Sequence, residues 1–148
     1  MTDAAKDSRN RILIVDDNRM GLVVRKHVLE EAGHEVFIVV NANEALERFG
    51  LQDFDLVITD FRMPQLNGIE LIQAMRRLKP NVPMVLISGF TDALGLDEGT
   101  TGADAVLQKN HTEVSQLVRV VNRLLRKTPK KPPRKEPPPD TGAVPRSR

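Results

Sequence analysis

Five short apolar runs recur between residues 11 and 108, and the stretches between them carry apolar residues at helical spacing. The runs are Arg11-Ile12-Leu13-Ile14-Val15, Glu35 to Val40, Asp55 to Thr59, Pro83 to Ile87 and Asp104 to Gln108. Their apolar residues are consecutive rather than alternating, the pattern of strands covered on both faces in a parallel sheet. Parallel neighbours require crossover connections, and the intervening periodicity reads as the helices that supply them. The expectation is an α/β fold: a right-handed, doubly wound parallel sheet of five strands with five helices.

The helical stripes follow from spacing. Met20, Val24, Val28 and Ala32 define the inward face of the first helix, which Gly33 stops. Ala42, Ala45, Leu46 and Phe49 define the second, ending at Gly50, and Ile69, Ile72, Met75 and Leu78 the third, closed by Pro80. A fourth over Thr91 to Gly102 is expected to be short, because Gly95, Gly99, Thr100, Thr101 and Gly102 are poor helix residues. Val114, Leu117, Val118, Val121 and Leu124 or Leu125 share one face of the last.

With 148 residues, 40% of them hydrophobic, the chain holds one domain with a sizeable core. Residues 1–8 read as a disordered leader, 9–126 as the folded domain and 127–148 as a basic, proline-rich disordered tail. Seven of the ten prolines lie in that tail, and its seven basic side chains against two acids give it a net charge of +5. The remainder is mildly acidic, so the overall balance of +2 conceals two opposite halves. The absence of cysteine excludes disulfides, thiolate metal sites and cysteine nucleophiles. The start carries acids and no apolar core, unlike a signal peptide, and no run approaches the length of a membrane span, so a cytoplasmic location is expected.

The chemistry gathers at the strand ends. Asp16 and Asp17 follow the first strand, Asp60 the third, Ser88 the fourth and Lys109 the fifth, and parallel strands deliver all of them to one edge of the sheet. Ligands of open α/β sheets bind in the crevice outside that edge. Two carboxylates about 4 Å apart repel by roughly 4 kcal/mol at an effective dielectric near 20. Three acids therefore call for a cation, and an oxygen-only site that keeps water suits Mg²⁺. Lys109 adds a fixed positive charge, and an accessible carboxylate beside it and a hydroxyl is arranged to accept a phosphoryl group. Each residue also has a plainer reading: Asp60 as a turn cap before Pro64, Asp17 as the N-cap of the first helix, Ser88 as a turn hydroxyl and Lys109 as a solvated loop charge.

Taken together, Asp16-Asp17, Asp60 with Met63-Pro64 and Gly68 after it, Ser88-Gly89, Gly102-Ala103-Asp104 and Lys109 resemble the receiver domain of bacterial two-component response regulators, over residues 9–126. That resemblance implies a flavodoxin-like strand order of 2-1-3-4-5 and a stand-alone response regulator that signals through protein contacts or a phosphorelay. It implies that Asp60 accepts the phosphoryl group from a sensor histidine kinase or phosphotransfer protein. It further implies Mg²⁺ held by Asp17, Asp60, the backbone carbonyl of Arg62 and, through water, Asp16. Lys109 and Ser88 would take phosphoryl oxygens, and Gly89 would leave room for the donor. The chain would then be a signalling phosphoacceptor rather than a metabolic enzyme.

Two positions depart from the family pattern. Asn110 stands where proline usually follows the lysine, so a trans peptide is expected there. Val106 stands where an aromatic residue usually switches, which leaves Ser88, Phe90 and the glycine-rich stretch from Thr91 to Gly102 to carry any signal. Those departures keep open an alternative class, a receiver-like scaffold or binding module that does not switch by phosphorylation. A phosphatase using Asp60 is disfavoured, because Arg62 occupies the place of the second acid that chemistry needs. The basic tail is read as a tether, or as a docking segment for nucleic acid, an anionic surface or a partner protein.

Overall fold

A computed structural model describes residues 9–89, 95–96, 98–110 and 112–127. Five strands, β1 (Arg11–Val15), β2 (Glu35–Val39), β3 (Leu56–Asp60), β4 (Met84–Ser88) and β5 (Ala105–Gln108), form one parallel sheet in the order β2-β1-β3-β4-β5. Five helices alternate with them among the described residues: α1 (Arg19–Glu31), α2 (Ala42–Leu51), α3 (Gly68–Leu78), α4 (Glu98–Thr101) and α5 (Glu113–Lys127). The expected doubly wound fold and its strand order are thus present. The order reverses between β1 and β3, whose pairing runs from Ile12↔Leu56 to Val15↔Thr59, so the crevice opens where those two strands end.

The sheet is buried on both sides, which is why its strands lack polar alternation. Ile12, Ile14, Leu56, Ile58, Val85 and Ile87 point to the layer of α1 and α5, against Leu22, Leu29, Leu117 and Val121. Leu13, Val15, Val57, Met84 and Leu86 point to the layer of α2 and α3, against Ala45, Phe49, Leu71, Ile72 and Met75. Ridges from both layers clamp the central strands, so all five residues of β3 and of β4 are buried.

Several helix expectations need correction. The inward face of α1 is Leu22, Arg25 and Leu29, whereas Met20 and Val24 are exposed and Val28 is half-buried. The stripe is rotated because Leu22 and Leu29 fill the core more fully than the shorter valines, with Arg25 carried inward by partners described below. α2 runs through Gly50 to Leu51, since Gln52 N–H still bonds the Arg48 carbonyl. On α3, Leu71 takes the buried place expected of Leu78, which is exposed on the last turn. Among the described residues of the stretch expected to hold the fourth helix, one turn is helical, Glu98–Thr101. Of the expected signal path through Ser88, Phe90 and Thr91 to Gly102, residues 90–94 and 97 lie outside the described residues. No helix among them is long and apolar enough to cross a membrane.

α3 starts with a capping box, Asn67 and Glu70 each bonding the other's backbone N–H. Its first residue, Gly68, lies directly over the end of β3. A Cβ there would enter the Asp60 carbonyl oxygen and come within 2.7 Å of Leu86 Cδ1. Backbone cannot yield as a flexible side chain can, so Gly68→Ala should lower unfolding free energy by about 2 to 3 kcal/mol, read from urea denaturation.

Candidate functional site

Each polar group at the crevice is delivered by the end of a strand. β1 leads into Asp16, whose backbone N–H continues the ladder to the Val39 carbonyl at 3.2 Å. Asp60 is the last residue of β3 and Ser88 the last of β4, and the Lys109 N–H bonds the Ser88 carbonyl at 2.9 Å. The Phe61 N–H bonds the Ile87 carbonyl at 2.8 Å, so the β3 chain leaves the sheet alongside β4. Carboxylate oxygens of Asp16, Asp17 and Asp60 all lie within 4.8 Å of one another, with Asp16 and Asp60 buried and Asp17 exposed. Lys109 Nζ is 2.7 Å from Asp60 Oδ1.

Asn18, not Asp17, is the N-cap of α1: its side-chain oxygen accepts from the Met20 and Gly21 N–H groups. Asp17 is therefore turned to the crevice, with its carboxylate available there. Asp17, Phe61, Arg62, Met63, Pro64 and Asn67 line an open cavity of about 540 Å³ beside the acids. Gly89 is exposed, and a Cβ on it would meet nothing within 4 Å. Arg62 is exposed on the loop that follows β3.

The two departures take these forms. The Lys109–Asn110 peptide is trans, as are all peptides among the described residues. Asn110 instead shapes the entry to α5: its Oδ1 accepts from the Thr112 N–H and hydroxyl at 2.9 and 2.8 Å, and its carbonyl accepts the Glu113 N–H. Lys109 reaches Asp60 without a proline after it. Val106 is half-buried and packs against the α2–α3 side of the core.

Sequence reasoning missed a buried cluster of three charges. Arg25 of α1 donates through Nη1 to Asp16 Oδ2 at 2.7 Å, and through Nε and Nη2 to the two Glu113 oxygens at 2.8 and 3.1 Å. Three acids at one strand edge signalled a need for protein cations beyond Lys109, and Gly21 one turn before Arg25 marked where a bulky group had to pass.

Burial pushes the Asp60 carboxyl above the usual carboxylate range; the Lys109 hydrogen bond pulls it back, and the charge on Asp16 adds to the rise. Burial opposes the charge on Arg25, yet Glu113 and then Asp16 hold it firmly protonated. An all-oxygen donor set with one open side fits a small hard cation, and the partly compensated charge fits a site that keeps water.

The fold and this strand-end geometry define a class, the doubly wound domains with an acidic crevice at the switch point. Residues 12–122 match the family model "Response regulator receiver domain", and the chain belongs to that family. It is 29% identical over 116 residues to the chemotaxis protein CheY of Thermotoga maritima, covering 77% of this chain and 96% of that one. It is 33% identical over 82 residues to the sensory/regulatory protein RpfC of Xanthomonas campestris, covering 53% of this chain and only 11% of that protein. The solved response regulator TrrA of Thermotoga maritima, in complex with Mg²⁺-BeF, superposes with a TM-score of 0.71 at 30% identity, over 78% of this chain and 98% of that one.

Asp60 binds more protons in the folded than in the unfolded chain between its ordinary and its raised pKa, so its contribution makes stability fall as pH rises through that window. In metal-free buffer at pH 7, Asp60→Asn should therefore raise unfolding free energy. The gain should shrink as pH is lowered towards about 4, near the ordinary carboxylate value. Urea denaturation at both pH values checks it.

Proposed function

We propose that this chain accepts a phosphoryl group on Asp60 from a histidine kinase or phosphotransfer partner, and passes the signal on through protein contacts or onward transfer. The carrying observation is the Asp60 carboxylate itself: buried, paired at 2.7 Å with Lys109 and within 4.8 Å of two further acids, of which Asp17 lines an open cavity. Asp17, Asp60, the Arg62 carbonyl and, through water, Asp16 are the oxygens that would hold Mg²⁺. When bound, the ion offsets the negative charge that accumulates as a phosphoryl group meets a cluster of acids.

The protein's own groups account for the rest. Lys109 holds Asp60 Oδ1, which orients the carboxylate and leaves its other oxygen to attack phosphorus. The new O–P bond forms as the bond from phosphorus to the donor nitrogen breaks, and that nitrogen keeps the electron pair. In the acyl phosphate, the Lys109 ammonium and the Ser88 hydroxyl would take two phosphoryl oxygens. The open space at Gly89 admits the donor. Such a chain serves signalling, and its chemistry is confined to its own modification and its reversal. That the similar TrrA was solved in complex with Mg²⁺-BeF supports a metal acting together with a phosphoryl-like group.

Val106 supports a second reading. A valine has no ring to relocate on phosphorylation, which suits a receiver-like module that binds partners without switching. Incubation with Mg²⁺ and acetyl phosphate, followed by intact mass, decides between the two. A gain of one phosphoryl mass that needs Mg²⁺ and is absent from Asp60→Asn is expected. A variant that still gains it removes Asp60 from the role, and a wild type that neither gains it nor binds Mg²⁺ favours the module.

The tail extends the proposal to an anionic partner. Its charge of +5 over residues 127–148 should give duplex DNA binding that weakens steeply with salt and disappears when the tail is deleted. Fluorescence anisotropy of a labelled random duplex checks this, and equal affinity without the tail refutes it.

A further inference from the structure

Arg25 occupies the middle of the buried face of α1, between Leu22 and Leu29, where an aliphatic side chain would complete the stripe. A guanidinium is strongly disfavoured at such a place unless its N–H groups are paired. Glu113, the first residue of α5 and 88 positions along the chain, takes one edge of it in a two-point fork. That fork leaves Nη1 aimed at Asp16 Oδ2. The Arg25, Glu113 and Asp16 side chains are each less than a tenth exposed, so solvent does little to screen them.

Gly21 leaves room for the bridge. A Cβ on it would stand 3.0 Å from Arg25 Nη1 and 3.4 Å from Asp16 Oδ2. Glycine is otherwise a poor choice inside a helix, so α1 yields propensity where the bridge passes. Asp16 is then held from both sides, Oδ2 by Arg25 and Oδ1 by the Asn18 N–H at 2.9 Å. A divalent ion in the crevice would face Arg25 as a like charge across this carboxylate and compete with it for the same oxygens.

We propose that Arg25 is a positioning residue of the acidic crevice: clamped by Glu113, it orients Asp16, sets the affinity of the crevice for a divalent cation, and ties that occupancy to the head of α5. The inference rests on the phosphoacceptor reading only in taking the crevice to hold Mg²⁺. The bridge gives α5 a route to the site that does not pass through Val106. It also makes the metal affinity of the site depend on the first turn of α5.

The test titrates Mg²⁺ alone into the full chain by calorimetry, with amide NMR spectra at each step. The subjects are wild type, the double variant Arg25→Gln with Glu113→Gln, and Gly21→Ala. The double variant keeps the net charge and two hydrogen-bonding amides, but removes the cation nearest Asp16. It should bind Mg²⁺ about tenfold more tightly. The amide shifts that Mg²⁺ causes from Val114 to Leu117 in wild type should be absent from it. Gly21→Ala changes no charge, displaces Nη1 from Asp16, and should tighten binding by about threefold. Adding back a cation with Arg25→Lys should return the affinity to within about threefold of wild type.

Mg²⁺ affinity that stays within about twofold of wild type in a cooperatively melting double variant, or that weakens there, overturns the proposal. Shifts in α5 that persist without the bridge overturn it as well. Should the double variant fail to fold, Gly21→Ala decides alone, and unchanged affinity in it is the overturning result. A wild type silent to Mg²⁺ removes the phosphoacceptor reading and this inference together, whereas a responsive wild type with indifferent variants removes only this one.

Discussion

Three carboxylates whose oxygens lie within 4.8 Å of one another must be answered by positive charge before the chain can fold around them. At a separation of about 4 Å each pair costs roughly 4 kcal/mol at an effective dielectric near 20, comparable to a large part of a small domain's net stability. The protein answers from two sides. Lys109 approaches Asp60 from the end of β5, and Arg25 approaches Asp16 from beneath, through α1. Asp17, the exposed third acid, is left to whatever occupies the crevice. The raised pKa of Asp60 records that burial outweighs the help it receives.

The fold makes this concentration of charge possible by keeping it off the core. Both faces of the sheet are sealed by aliphatic layers, so the only place a polar group can leave the strands without desolvation is at their ends. Parallel direction sends all five carboxyl ends to one edge, and the reversal of order between β1 and β3 opens that edge for access. Gly68 adds a geometric condition. It lets α3 begin in contact with the Asp60 carbonyl, so that the loop carrying Arg62, Met63 and Pro64 closes back onto the strand it left.

The sheet, its strand-end acids and Lys109 were legible because their signals are local: a run of apolar residues, then a polar terminator, repeated. Helix faces were less so. α1 offers two overlapping apolar stripes, Met20-Val24-Val28 and Leu22-Leu29, and the second is interrupted by an arginine that counts against it on hydrophobicity alone. Only tertiary partners, Asp16 and Glu113, reveal that this arginine belongs inside. Leu71 and Leu78 pose the same difficulty on α3, where the choice rests on where the helix ends against its neighbours. The N-cap at Asn18 was masked by an equally suitable Asp17 beside it. Adjacent cap candidates are separated by chain geometry, not by residue type.

The bridge of Arg25 to Glu113 and Asp16 has a consequence for how such a chain can change over generations. Loss of Arg25 alone would strand two buried anions, and loss of Glu113 alone would leave the guanidinium with half its partners. Enlargement of Gly21 would crowd the Arg25 end of the contact. Positions 21, 25 and 113 are thus bound into one unit of inheritance, in which single steps are penalised and joint replacements are not. A lineage that exchanged the bridge for an aliphatic stripe would have to cross that penalty or change the helix and its distant partner together.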